Sequence, residues 1–215
     1  MAIHFEEQEL ADRRARACAS MNADRLDGLL MFRQESMYYL SGYDTFGYVF
    51  FQCLLLTQDG KMTLLTRAPD LRQAQNTSVI KDIRIWVDRP DADTASELHD
   101  ILKEHGLSGK TLGVEYDAYG LTAANGKRLE SAMDGFCTLR DASQLVTKLR
   151  VIKSPAEIAY VRRAAELADD ALDAAIATAA PGVSEGSVLA AMQGAVFEGG
   201  GDYPGNPFII GSAED

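Results

Sequence analysis

The run GYVFFQCLLLT at 47–57 constrains the fold more than any other stretch of this chain. It carries no charged residue and is partly aromatic, so it reads as a strand buried on both faces. Such a strand cannot meet water on either side, so helices must cover its sheet above and below. The next residues, TQDGKMTLLTR, place Asp59-Gly60 between two apolar segments. That pattern predicts a hairpin closed by a tight primed turn, which makes this part of the sheet antiparallel.

Residues on either side fill out the layers. Good helix formers occupy 6–24, with Leu10, Ala17 and Met21 near helical spacing. LDGLLMF (26–32) has strand length, and RQESMYYLSGYD (33–44) reads as one or two helical turns ending at Gly42. After the hairpin, APDLRQAQNT is a short helix with Pro69 in its first turn, and DIRIWVD (82–88) alternates like a strand. DADTASELHDILKEHGL is an amphipathic helix, capped by Thr94 or an Asp before it and stopped at Gly106. A strand (KTLGVEYD), a helix interrupted at Asn125-Gly126 and a last strand (FCTLRDAS) complete the region. The expectation is an α/β domain: a mixed, mostly parallel sheet with one antiparallel hairpin, flanked by helices.

The texture changes after residue 141. Ser154-Pro155-Ala156-Glu157 supplies a cap, a proline at the first helical position and the glutamate of a capping box. Ile158, Val161, Ala165, Ala168, Leu172 and Ile176 then mark one face of a long helix that runs to Pro181-Gly182. Ser184 caps a second helix, Gly199-Gly200-Gly201 ends it, and DYPGNPFIIGS begins an extended segment. Two helices and one incipient strand leave an apolar stripe and a strand edge uncovered, so this second region reads as an unfinished domain.

Charge and composition exclude several classes. The net charge of −11 argues against a nucleic-acid partner, which requires a basic surface. No window approaches the ~18 apolar residues of a membrane span. The charged start, MAIHFEEQELADRRARACAS, lacks the apolar stretch of a secretory signal, so a cytoplasmic location is expected. Cys18, Cys53 and Cys137 are odd in number and far apart, as reduced thiols would be, and Cys53 reads as an inert core thiol.

No complete catalytic constellation is visible. His4, His99 and His105 form no metal-binding spacing, and no HExxH or CxxC occurs. GVSEG at 182–186 resembles a nucleophile elbow, but it follows a helix and a proline, so its serine is a helix cap. Asp44, Glu115, Asp117, Asp202 and Glu214 lie near element ends, unpaired by spacing, and each reads as a turn or cap residue. GYDTFGY (42–48) is different: aromatics interleaved with polar loop residues read as an exposed, adhesive loop.

The stretch KLRVIKSPAEIAYVRRAAELADDAL (148–172) resembles the junction of the creatinase / prolidase / Xaa-Pro aminopeptidase superfamily, where a basic entry with Lys-Ser and Glu-Ile opens the catalytic "pita-bread" domain. DGLLMFRQESMYYLSGYDTFGY upstream and APGVSEGSVLAAMQGAVFEGGGDYPGNPFIIGSAED downstream resemble the flanking parts of that family. The resemblance implies a creatinase-like N-terminal domain at 1–145, followed at 150–215 by the first helices and strand of a pita-bread α+β domain. It implies the front part of a C–N bond hydrolase, acting as a homodimer on Xaa-Pro peptides or on a small nitrogenous solute. Family members place the catalytic His and the metal ligands beyond the position of Ser212. No metal ligand is therefore expected within this chain, and a divalent pair (Mn, Co or Zn) would belong to the complete enzyme. Creatinase and ectoine-hydrolase relatives work on small solutes without that pair.

The resemblance also offers substrate-binding residues. Tyr203, Phe208 and Ser212 match the strand that lines the family's pocket, and Phe46 and Tyr48 match the loop that reaches a neighbouring subunit's site. An alternative expectation is a non-catalytic, creatinase-like module that dimerises or binds a partner through its second region.

Overall fold

The computed structural model describes residues 3–203, 205 and 208–211, and the chain divides into two compact units, Met1–Ile152 and Lys153–Asp215. In the first unit the strands are β1 (Gly28–Met31), β2 (Cys53–Thr57), β3 (Met62–Arg67), β4 (Asp82–Trp86), β5 (Thr111–Val114) and β6 (Thr138–Asp141). They form one six-stranded sheet in the order β4-β3-β2-β1-β5-β6. The β1–β2 and β2–β3 pairs are antiparallel; β3–β4, β1–β5 and β5–β6 are parallel. This is the mixed, mostly parallel arrangement expected from the sequence.

The two-faced burial of β2 follows from its period of two. Cys53 and Leu55 enter one core cluster with Leu30, Leu112 and Val114, while Leu54 and Leu56 enter the other with Leu29, Met31 and Leu64. The first face is covered by α4 (Thr94–Glu104) and α5 (Ala123–Met133), through Leu98, Ile101, Leu102, Leu129 and Met133. The second is covered by α1 (Glu7–Ala23), α2 (Gln34–Ser41), α3 (Leu71–Thr77) and α6 (Leu145–Arg150). Ala17 and Met21, Met37 and Leu40, Ala74, and Leu145 and Val146 are their contributions.

Several local expectations change. The apolar run does not become strand at Gly47: Gly47–Val49 is a single 3-10 turn, and β2 begins at Cys53. The hairpin turn is not a primed one. Gly60 has φ +81 and Asp59 is not in the left-handed region, so a type I turn (Gly60 N to Thr57 O, 2.9 Å) is followed by a glycine bulge. Asn125-Gly126 does not interrupt α5, because both lie in its first turn, where the Thr122 side chain accepts from Asn125 N. The helix α6 was not anticipated; Leu145 and Val146 anchor it in the first unit.

The second unit holds α7 (Pro155–Thr178) and α8 (Glu185–Glu198). The capping box at Ser154 is complete: Glu157 N donates to Ser154 Oγ (3.1 Å) and Ser154 N to Glu157 Oε2 (2.7 Å). Ser184 caps α8 as expected. On α7 the buried residues are Leu167 and Ala171, whereas Val161, Leu172 and Ile176 of the anticipated stripe are exposed. No strand occurs among the described residues after α8. An extended segment becomes a strand only when a neighbour takes up its backbone groups.

Candidate functional site

The carboxyl ends of β1, β3 and β5 meet at one edge of the sheet, where open α/β sheets place their ligand crevices. β2 runs the other way, so the segment leading into it, 44–52, lies at the same edge. Its stem is held by a polar network. Tyr43 is wholly buried, and its hydroxyl bonds Gln52 Oε1 (3.0 Å) and Thr66 Oγ1 (3.2 Å). Thr45 Oγ1 accepts from Gly47 N (2.9 Å), and Asp44 N donates to Thr77 Oγ1 (3.2 Å). Below the tip, the Arg67 guanidinium stacks 3.5 Å from the Phe50 ring centroid.

The tip of this segment is exposed. Phe46 is 71%, Tyr48 52% and Val49 58% accessible. The loop after β5 lies against it: a Cβ on Gly120 would stand 3.1 Å from Phe32 O and 3.5 Å from both Tyr48 O and Phe50 O. A side chain at 120 would push these carbonyls back by a few tenths of an ångström, so the glycine suits the close approach of the two loops, and Tyr119 next to it is 91% exposed. Phe46 and Tyr48 stand two residues apart on this exposed tip, and Tyr119 is a third exposed aromatic on the neighbouring loop. Sequence reasoning missed Tyr119 because its proximity depends on the β1–β5 pairing.

Glu115 also departs from expectation. It is neither a turn residue nor an exposed cap: it is wholly buried where β5 ends. Its Oε2 accepts from Phe32 N (3.1 Å) and Arg33 N (3.0 Å), and its Oε1 accepts from Ser36 Oγ (2.5 Å). It therefore ties β5 to the start of α2, satisfying donors that a helix N-terminus leaves open. Burial pushes its carboxyl up to about 7, against the opposing effect of these bonds and of Arg33. Arg33 itself reaches Thr147 Oγ1 (2.9 Å) and pairs with Asp117, which also accepts from Gln144 Nε2 (3.1 Å). The junction of β1, β5 and α6 is a connected polar cluster at the same carboxyl edge of the sheet.

The remaining candidates belong to the second unit. Tyr203 is exposed and packs edge-on against Phe197, with ring centroids 5.1 Å apart. Phe208 is half-buried, while Ser212 and Glu214 lie outside the described residues. Cys53 is wholly buried and burial pushes its thiol well up, which makes it a poor nucleophile. Among the described residues no group of three or more His, Cys, Asp or Glu side chains is placed to hold a metal ion. Nor is any helix among them long and apolar enough to cross a membrane.

A helix-covered mixed sheet with an aromatic carboxyl edge, followed by a separately packed helical pair, is an α/β domain joined to a second unit. The pattern of the creatinase/prolidase N-terminal domain matches residues 13–152, and the chain belongs to that family. An uncharacterised hydrolase/peptidase, y4tM of Sinorhizobium fredii, is 33% identical over 212 residues, covering 95% of this chain and 54% of the relative. The ectoine hydrolase of Halomonas elongata is 26% identical over 220 residues, covering 95% and 55%. Among solved structures, the Xaa-Pro dipeptidase from Bacillus anthracis superposes with a TM-score of 0.69 at 23% identity, over 88% of this chain and 49% of that one. The chain thus spans about half the length of the curated relatives it matches.

Proposed function

We propose that this chain is the front part of a C–N bond hydrolase of the Xaa-Pro peptidase/creatinase type, acting on Xaa-Pro peptides or on a small nitrogenous solute. The supporting observation is that hydrolase relatives align over 95% of the chain while extending to about twice its length. On this reading, residues 1–145 are the N-terminal domain, and 150–215 open the pita-bread catalytic domain whose reacting groups are contributed elsewhere in the complete enzyme. A divalent pair (Mn, Co or Zn) held there would supply activation of the attacking water.

This chain's own contribution is shape and exclusion of water. Phe46 and Tyr48 stand on a stem rigidified by Tyr43, Thr45 and Gln52, so they present apolar area at low entropic cost. In a homodimer they close the neighbouring subunit's pocket, and Tyr203, Phe208 and Ser212 wall the pocket from the catalytic side.

The test is hydrolysis by the complete enzyme of a Xaa-Pro dipeptide, creatine and ectoine, each with and without added Mn, combined with light scattering for the dimer. Turnover of one substrate class, and a roughly tenfold or greater fall in kcat/KM for the Phe46→Ala/Tyr48→Ala double variant at unchanged thermal stability, supports the reading. No turnover of any of the three overturns it and favours a non-catalytic dimerisation or partner-binding module.

A further inference from the structure

At the opposite edge of the same sheet, a chain of net charge −11 gathers cations around one cleft. The cleft, ≈ 410 Å³, is lined by Arg14 of α1, by Lys61, Met62 and Thr63 around the β2–β3 turn, by Val79, Lys81 and Asp82 at the start of β4, and by His105. Glu7 completes the rim. The β2–β3 turn stands beside the amino end of β1, so the cleft is separated from the Phe46 loop by the length of the strands.

The acids near this cleft are already engaged, apart from Glu7. Asp82 accepts from Arg84 and from Thr63 Oγ1 (3.0 Å). Thr63 Oγ1 in turn accepts from His105 Nε2 (2.9 Å), because its own proton goes to Asp82. Asp59 pairs with Lys61 Nζ at 2.6 Å. Two cations are left over. Among the described residues neither Arg14 nor Lys81 is in an ion pair.

Arg14 is the stronger observation. Its half-buried guanidinium makes one hydrogen bond, from Nη1 to Leu40 O (3.2 Å), and the group carries five N–H donors in all. Burial lowers its pKa, and Glu7 only partly offsets that desolvation without reaching ion-pair distance. A cation withdrawn from water and left without a counter-charge is a costly arrangement unless an anion joins it.

We propose that this cleft binds a small organic anion, one carboxylate or phosphate group seated between Arg14 and Lys81 and an apolar portion resting on Met62 and Val79. The site is independent of the aromatic edge. An occupant would stabilise the first unit by mass action, because the unfolded chain does not hold these four elements together.

The test is thermal unfolding and titration calorimetry of the full chain with glutarate and with inorganic phosphate, each set against sodium chloride at equal ionic strength. A saturable rise in Tm and a measurable Kd with either oxyanion, absent with chloride, is expected. A response to glutarate alone assigns the carboxylate chemistry, a response to phosphate alone the phosphate chemistry, and a response to both their shared oxyanion character. Arg14→Gln and Lys81→Gln should each weaken the Kd roughly 10- to 100-fold, the range for a lost charge-assisted bond. Glu7→Gln, which removes the competing carboxylate, should tighten it. Lys81 is exposed, so Lys81→Gln keeps its ligand-free Tm and reads the site even where Arg14→Gln loosens α1. Equal stabilisation by chloride, or wild-type affinity in both glutamine variants, overturns the proposal.

Discussion

Replacing Glu115 by glutamine should raise stability at neutral pH and leave it unchanged in acid. The carboxyl lies near 7 in the folded protein against 4.5 for an ordinary glutamate, so the folded state binds the more protons between those values. Stability from this group is therefore fully present below pH 4.5 and is lost as pH rises through 7. At ~1.4 kcal/mol for each pKa unit, the loss is about 3 kcal/mol. The geometry shows why glutamine mimics the neutral form. Oε2 already accepts two backbone N–H bonds, so the proton of the neutral acid sits on Oε1, and Ser36 Oγ, which donates to the carboxylate, turns its hydroxyl away and accepts from the acid. A glutamine keeps an acceptor for Phe32 N and Arg33 N and directs its NH2 at Ser36. The assay is urea unfolding of both proteins from pH 4 to pH 8.5, taking the difference in midpoint free energy at each pH. Every other titrating group cancels in that difference. It should be near zero at the acid end and grow to about 3 kcal/mol in favour of Glu115→Gln above pH 8. A flat difference across the range would refute the reasoning.

Two further outcomes follow from individual side chains. Ser154→Ala removes the acceptor for Glu157 N and should cost about 1 kcal/mol; faster amide exchange confined to the first turn of α7 is the check, and unchanged exchange there would contradict the cap. Tyr43→Phe leaves Gln52 Oε1 and Thr66 Oγ1 without their buried partner and should cost roughly 1–3 kcal/mol in urea unfolding. The same variant should loosen the Phe46–Tyr48 loop, visible as higher protease sensitivity at 44–50 under native conditions.

Local chemistry made much of the fold legible. The unbroken apolar character of Cys53–Thr57 demanded two covered faces, and its alternate residues do enter two separate clusters. Ser154 and Ser184 announced their helices because a cap is a contact within one turn of chain. Failures came where one signal had two outcomes. Asp59-Gly60 suits a primed turn or a type I turn with a glycine bulge, and the three residues 58–60, closed by the Thr57 N to Lys61 O bond, select the second. Asn125-Gly126 looked like a break because helix propensity is low there, but one turn after a Thr cap the penalty is borne at a frayed end. The exposed loop at Phe46 and Tyr48 was readable from polar residues among aromatics; Tyr119 beside it was not.

The sequence by itself determined most of the helices and strands, that the sheet must be covered twice, and that the chain is acidic with an inert core thiol at Cys53. It also carried the junction at 148–172 that marks the family. Tertiary structure alone decided that Glu115 would be buried against backbone N–H groups some 80 positions away, and that Arg14, Lys81 and His105 would line one cleft. Periodicity and capping act over a few residues, whereas these environments depend on strand register between distant segments. A carboxylate in a turn and a carboxylate in a core read identically along the chain, and only the packing around them makes their chemistry differ.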